Sequence, residues 1–278
     1  MNVLTIAKKD FHDAIRSRGL IGATIVFAIF TSGMGALAAV FEQLEAESGD
    51  GVPELVIVLQ SPAYLLVPVI ALLLSYSAIS REREHGSLRF LLGLPFTRRE
   101  VLLGKVLGRT VVLSVAIVIG FTIGIGTFYA LTGTAPVAGY LGFTLVTILF
   151  GCVYVSIGVG LSALVRSTTR AAVGAVGILV LLGVFWDSFG GLLLYAATRS
   201  SVPEAIPSWY SLYEVFEPSV AYGIALGVVL DNQPTADELA SGGFSVVAEP
   251  WFGFIVLACW TITTLAVAAW WFDRRELA

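Results

Sequence analysis

Charged residues are scarce in this chain. Of its 278 residues only 13% are Asp, Glu, Lys or Arg, while 57% are hydrophobic and the mean hydropathy is +0.88. An ordinary soluble domain is about 25% charged and about 45–50% apolar. So little polar material cannot cover a globule in water, which excludes a soluble enzyme of this size and indicates that the chain is surrounded by lipid.

Cysteine and histidine are rare too, with two of each. Cys152 and Cys259 fall in apolar runs away from any loop, so neither a disulfide framework nor a metal site is indicated. The sequence contains no phosphate-binding loop, no His-Glu-x-x-His pair and no Gly-x-Ser-x-Gly elbow. We therefore predict no catalytic residue, no cofactor bound by this chain and no nucleic-acid partner.

Long uncharged runs take the place of these features. The longest extends over 56 residues, 110–165, and others cover 19–41, 55–80, 171–186 and 250–272. About 20 apolar residues cross about 30 Å of hydrocarbon, so the longest run holds two spans, separated by a turn-rich stretch at 131–136. We predict an all-α membrane protein, a single transmembrane domain over 1–278, with spans at about 19–41, 60–80, 109–131, 138–165, 171–195 and 250–272.

The basic residues lie almost entirely on one side of this layout. Fifteen of the 16 Lys and Arg residues fall in 1–18, 81–109, 166–170 and 273–278, and Arg199 alone falls on the other side. Lys and Arg are retained on the cytoplasmic side of membranes. The partition predicts a multi-pass protein of the cytoplasmic membrane with both termini cytoplasmic.

Residues 3–15 form an amphipathic pattern. Val3, Leu4 and Phe11 share an apolar arc of about 120°, and Lys9 lies on the opposite side. We predict an N-terminal helix along the inner membrane face. Two interpretations stay open: an anchor in the membrane surface, or a lever packed against a cytoplasmic partner.

A second short apolar stretch interrupts the outer segment, at about 196–249. Residues 219–230 are uncharged and mostly apolar, and a run of this length is too short to span. We predict an interfacial or re-entrant helix before the sixth span.

The loop 81–109 has the most distinctive pattern of the chain. Gly86 is a suitable residue to end the second span, Pro95 ends a short helix over 87–94, and Thr97 with Glu100 forms a capping box that starts the next helix. The short helix is too apolar to face water. Its apolar side chains require a covering surface, which is the protein's own helix ends, the lipid interface or a second protein.

The residues around this loop carry a family resemblance. The run 68–80 is followed by Arg81-Glu82-Arg83-Glu84-His85-Gly86-Ser87-Leu88, then by Leu91-Leu92-Gly93-Leu94-Pro95 and by Arg98-Arg99-Glu100-Val101-Leu102-Leu103-Gly104-Lys105. This pattern resembles the type-2 ABC-transporter permeases, and among them most closely the subgroup of permeases that serve nitrous-oxide-reductase maturation.

The resemblance implies six helices, a dimer of two permease copies (here a homodimer) and separate ATPase subunits that bind ATP and Mg²⁺. It also implies that the segment matching 82–95 is a cytoplasmic coupling helix, between spans 2 and 3, that docks on the ATPase. The implied coupling residues are Glu82, Glu84, Gly86, Ser87, Leu88, Phe90, Leu91, Leu92, Leu94, Pro95, Arg98, Arg99 and Glu100.

The sequence leaves three candidate functions. The first is the permease subunit of an ABC exporter, with membrane lipid around it and Asp187 as a candidate substrate-path residue near the outer boundary. The second is a membrane anchor or assembly scaffold that transports nothing. The third, an intramembrane enzyme, is disfavoured because the predicted span interiors contain no ionisable groups. Charge-free spans suit a hydrophobic cargo, whereas the subgroup resemblance suggests a copper- or sulfur-related one.

Overall fold

A computed structural model describes residues 3–15, 17–48, 55–86, 96–199, 207–229 and 245–274. These residues are almost entirely helical, and none of the described ranges contains a strand. The helices are α1 Val3–Ile15, α2 Arg18–Ser48, α3 Leu55–Ser75, α4 Ser80–Glu84, α5 Arg98–Thr132, α6 Val137–Leu164, α7 Thr168–Val180, α8 Trp186–Thr198, α9 Ser208–Val215, α10 Pro218–Ala225 and α11 Pro250–Arg274, with a π-helical turn Leu181–Phe185 joining α7 to α8 and short 3-10 turns at Leu226–Val228 and Ser245–Ala248.

Six helical stretches are long and apolar enough to cross a membrane, as the sequence predicts. They are Arg18–Gln43, Val58–Glu84, Arg98–Thr132, Val137–Leu164, Thr168–Thr198 and Pro250–Arg274. The chain is therefore a multi-pass membrane protein. We call the end of the bundle that carries α1, α4 and the start of α5 the basic end, and the opposite end the acidic end.

The third span is longer than its uncharged run. The helix begins at Arg98, as the capping box predicts, and so before the uncharged span that starts at about 109. The Thr97 side chain accepts from the Glu100 backbone N–H, and the Glu100 carboxylate accepts from the Thr97 N–H. It ends at Thr132, where Gly133 adopts a left-handed φ of 75° that suits glycine. The 35-residue helix is about 52 Å long, so it extends beyond the hydrocarbon at the basic end.

Small residues bring the first and third spans into close contact. A Cβ on Gly35 would lie 2.6 Å from the Gly124 carbonyl oxygen, and one on Gly124 would lie 2.7 Å from the Thr31 Cβ. Thr31 also donates a 2.6 Å hydrogen bond to the Gly120 carbonyl. Such close helix packing replaces the hydrophobic driving force that lipid cannot supply.

The fourth and fifth spans differ most in burial. In the most apolar stretch of the fourth span 72% of the residues are buried within the chain, whereas in that of the fifth span only 11% are buried. The fourth span therefore forms the centre of the bundle, and the fifth lies at its edge.

Helices α9 and α10 form a re-entrant hairpin that enters the bundle from the acidic end. The Tyr213 ring of α9 stacks on Trp186, and its hydroxyl donates to the Trp186 carbonyl at 2.8 Å. At the turn, Trp260 donates to the Phe216 carbonyl at 2.8 Å. Trp260 lies ten residues along the sixth span, about 15 Å from Pro250. The tip therefore reaches well into the bundle, which is the geometry that the predicted re-entrant placement requires.

Candidate coupling site at the basic end

Two glycines on α5 allow α1 to pack directly against it. A Cβ on Gly104 would lie 2.7 Å from the Ile6 Cβ, and one on Gly108 would lie 2.9 Å from the Asp10 Cβ. No larger residue fits either position without displacing α1. The close approach places Asp10, which is 2% exposed, against the third span.

Asp10 belongs to a network of four charged side chains, of which Asp10 and Lys105 are buried and Glu82 and Arg109 are partly buried. Lys105 Nζ lies 2.8 Å from Asp10 Oδ1 and 2.6 Å from Glu82 Oε1, and Arg109 Nε lies 2.9 Å from Asp10 Oδ2. Arg109 also donates to the Leu74 carbonyl at 3.0 Å. A buried charge is costly unless it is paired. Here two cations meet two carboxylates, so the network joins α1, α4 and α5 without a net charge.

Helix α4 is fixed to the fourth and fifth spans as well. The Ser162 hydroxyl accepts from the backbone N–H groups of Ile79 and Ser80, each at 2.9 Å. Arg83 donates to the Val165 carbonyl at 2.7 Å. The Glu84 carboxylate accepts from the Thr168 N–H and hydroxyl at 2.8 and 2.6 Å. The segment that leads into residues 87–95 is therefore held on several sides.

The start of α5 is tied to the end of the sixth span. Arg98 donates to the Phe272 carbonyl at 2.6 Å, and its guanidinium lies 5.7 Å from the centre of the Phe272 ring. Arg99 pairs with Asp273 at 2.8 Å. Because Arg99 is exposed, its ion pair with Asp273 contributes little stability, and the partly buried Arg98 contact is the stronger of the two.

The predicted coupling residues divide into two sets. Ser87, Leu88, Phe90, Leu91, Leu92, Leu94 and Pro95 lie outside the described residues. We call the two segments that flank this stretch, 80–86 and 96–100, its two arms. They carry the second set: Glu82, Glu84, Gly86, Arg98, Arg99 and Glu100. Gly86 has a φ of 74°, as a helix-ending residue should. Each member of this second set bonds within the chain, Gly86 through its backbone N–H to the Arg83 carbonyl.

The sequence interpretation missed Asp10, Lys105 and Arg109 as site residues. A usable signal exists for one of them. Lys105 is the only lysine outside the N-terminal segment, and it interrupts an otherwise apolar helical pattern. A lone cation in such a position predicts a buried partner, although the pattern does not say which one.

Asp187, the predicted substrate-path residue, lies two residues after the π-helical turn on the fifth span and is exposed on the surface of the chain. It is 17 residues from Arg170, about 25 Å along the helix. In the ranges that the structure describes, no ion pair involves it.

The hairpin tip carries a second buried carboxylate, Glu217, which the sequence interpretation also missed. It is 5% exposed and caps α10 by accepting from the Val220 N–H at 2.8 Å. It also bonds to Ser219, and the hydroxyls of Tyr64 and Tyr154 lie within its electrostatic reach. Burial raises the pKa of the Glu217 carboxyl to about 7, against the lowering effect of the Val220 bond. The spans have no ionisable group in their centres, but the hairpin brings one there.

Comparison with known proteins identifies the family. The profile of the ABC-2 family transporter proteins matches residues 4–277. The chain belongs to the ABC-2 transporter family. It is therefore a transmembrane ABC transporter permease subunit, and the resemblance in the loop 81–109 is confirmed.

Two curated relatives, both named as ABC transporter permeases, support this assignment. A probable ABC transporter permease protein NosY of Pseudomonas aeruginosa is 32% identical over 288 residues, covering 99% of both chains. A protein of the same name from Stutzerimonas stutzeri is 30% identical over 279 residues, covering 98% of both. The similarity extends over the whole length, including α1 and the hairpin.

Proposed function

We propose that this permease is the membrane subunit of an ABC exporter and is driven by ATP hydrolysis in a separate cytoplasmic subunit. The ATPase binds ATP and Mg²⁺ and receives residues 87–94, for which the sequence predicts a short helix, in a groove. The observation that carries the proposal is the bracing of both arms around this helix by Glu82–Lys105 and Arg98–Phe272 contacts. A force applied between two such arms reaches the second, third and sixth spans.

The proposed orientation places the basic end in the cytoplasm of the cell membrane. The charge partition supports it, because 15 of the 16 basic residues fall on that side. The sequence has no phosphate-binding loop of its own, which is consistent with an ATPase in a separate chain.

A second copy of this chain completes the proposed transporter. The fifth span is the least buried of the six, and Asp187 and Ser188 are exposed on it. A carboxylate on a span is costly where it meets hydrocarbon, so Asp187 near the outer boundary is better placed against protein or water than against lipid. Packing of the fifth span against a partner copy would place Asp187 beside the substrate path.

The test is the change Leu91→Asp, which puts a charge among the apolar residues of the short helix predicted over 87–94. Five large apolar side chains, Leu88, Phe90, Leu91, Leu92 and Leu94, need burial there, at about 1.5–3 kcal/mol each. A charge in a groove built for them should abolish ATPase association and coupled ATP hydrolysis. Both are measured by pull-down and by turnover in liposomes.

The matched control is Leu131→Asp, the same change at an exposed position near the acidic end of the third span. It should leave ATPase association intact. If the Leu91→Asp variant still binds the ATPase and still shows coupled hydrolysis, residues 87–94 cover only the protein's own surface. The scaffold function is then favoured.

A further inference from the structure

The structure divides the apolar face of α1 between two environments. Ile6 and Ala14 are buried against the rest of the chain together with Asp10, whereas Leu4 is 70% exposed and Ile15 is 42% exposed. The exposed pair suits a membrane surface. The buried side therefore has a separate role, and Asp10 is the polar residue at its centre.

Asp10 connects α1 to both arms at once. Its two carboxylate oxygens face Lys105 and Arg109, which lie one turn apart on α5. Lys105 in turn pairs with Glu82 of α4. Glu82 lies four residues before Gly86, the last described residue ahead of segment 87–94. A charged pair in a low-dielectric site is stronger and more directional than an apolar contact. A helix seated on glycines alone could slide, but one fixed through two cations cannot.

We propose that Asp10 is a positioning residue for energy coupling, which locks the N-terminal helix to the third span and to α4 so that the three move as one body when the ATPase displaces segment 87–94. This inference rests on the proposed function. It favours the lever over the anchor for α1, with the partner of the lever being the permease's own third span.

The key variant is Asp10→Asn in the full chain. Both cations keep another acceptor in this variant, since Lys105 retains Glu82 and Arg109 retains the Leu74 carbonyl. The fold should therefore persist. The matched control is Asp13→Asn, which removes the same charge from an exposed position on the same helix.

The measurements use the permease in nanodiscs with the ATPase subunit that copurifies with the wild-type chain. We expect Asp10→Asn to bind the ATPase within about twofold of the wild-type Kd but to lose at least about tenfold in permease-stimulated kcat. Asp10→Glu restores the carboxylate and should recover most of the stimulation. A role in stability alone would lower the unfolding midpoint without separating Kd from kcat.

The outcomes separate the two proposals. If Asp10→Asn behaves like Asp13→Asn, or if Asp10→Glu fails as completely as Asp10→Asn, the positioning role is overturned while the proposed function stands. A wild-type chain that binds no ATPase overturns the proposed function and this inference with it.

A second variant covers the case in which Asp10→Asn does not fold. Arg109→Lys keeps the charge but loses the fork that reaches both Asp10 and the Leu74 carbonyl. We expect it to lower the stimulated kcat about threefold with unchanged Kd. A wild-type kcat in this variant would overturn the proposal.

Discussion

The two ends of the molecule bury carboxylates in opposite ways. At the basic end Asp10 is enclosed with Lys105 and Arg109, both within 3 Å of it. At the hairpin tip, no ion pair involving Glu217 occurs among the residues that the structure describes, and its described bonds come from Val220 and Ser219. The first arrangement fixes a charge and makes a rigid joint. The second leaves a carboxyl that gains or loses a proton near neutral pH.

The largest effect is expected from Lys105→Met, which removes the cation lying between Asp10 and Glu82. Removing one partner of a buried ion pair costs about 3–5 kcal/mol, because the opposite charge stays buried. The free energy of unfolding in detergent measures this loss. The control Lys9→Met makes the same change at an exposed position of α1. Equal stability of the two variants would show that the basic end is not a rigid joint.

A smaller effect, with a pH signature, is expected at Glu217. Its pKa is raised from 4.5 to about 7 in the folded chain, so the folded state binds the proton more tightly than the unfolded state. Its contribution to stability is therefore present below about pH 4.5 and is lost as pH rises through about 7, by about 3 kcal/mol in total.

Glu217→Gln should remove this pH dependence of the unfolding free energy. The other titratable groups within electrostatic reach of Glu217 are Tyr64, Tyr154 and, with the weakest effect on Glu217, Asp187. Glu249→Gln, at an exposed position, is the control and should keep the wild-type profile. If the unfolding free energy of Glu217→Gln still falls between pH 5 and 8, the titration belongs to another group.

The smallest effect is expected from Gly108→Ala. The added Cβ would lie 2.9 Å from Asp10 Cβ and 3.1 Å from the Ala7 carbonyl oxygen, so α1 must shift. Overpacking of this kind costs about 1–3 kcal/mol. Gly126→Ala, where nothing lies within 4 Å, provides the control on the same helix. If both variants unfold alike, α1 has room to move on the third span.

The sequence predicts the spans well because lipid requires long uncharged runs. It also predicts the capping box at Thr97, which is a local pattern. The predicted span at about 109–131 covers only the uncharged part of this helix, because the charged residues from Arg98 to Arg109 lie on the part that extends beyond the hydrocarbon.

The charged contacts could not be predicted in the same way. Asp10, Glu82 and Lys105 are far apart in the chain and meet only because glycines let α1 and α5 approach. Glu217 was assigned to an outer segment, because a local pattern does not show that a hairpin folds back into the bundle. An acid followed by Pro218 and an apolar run is nevertheless a helix-start signal that could have marked it.

In the proposed transporter, residues 87–94 contact an ATPase between two braced arms. The most direct measurement replaces Leu91 with a photo-reactive benzoylphenylalanine in the full chain and irradiates native membranes, with Leu131 labelled in a parallel sample. We expect a cross-link from position 91 to an ATP-hydrolysing subunit and none from position 131. Cross-links from position 91 only to lipid or to the permease itself would contradict it.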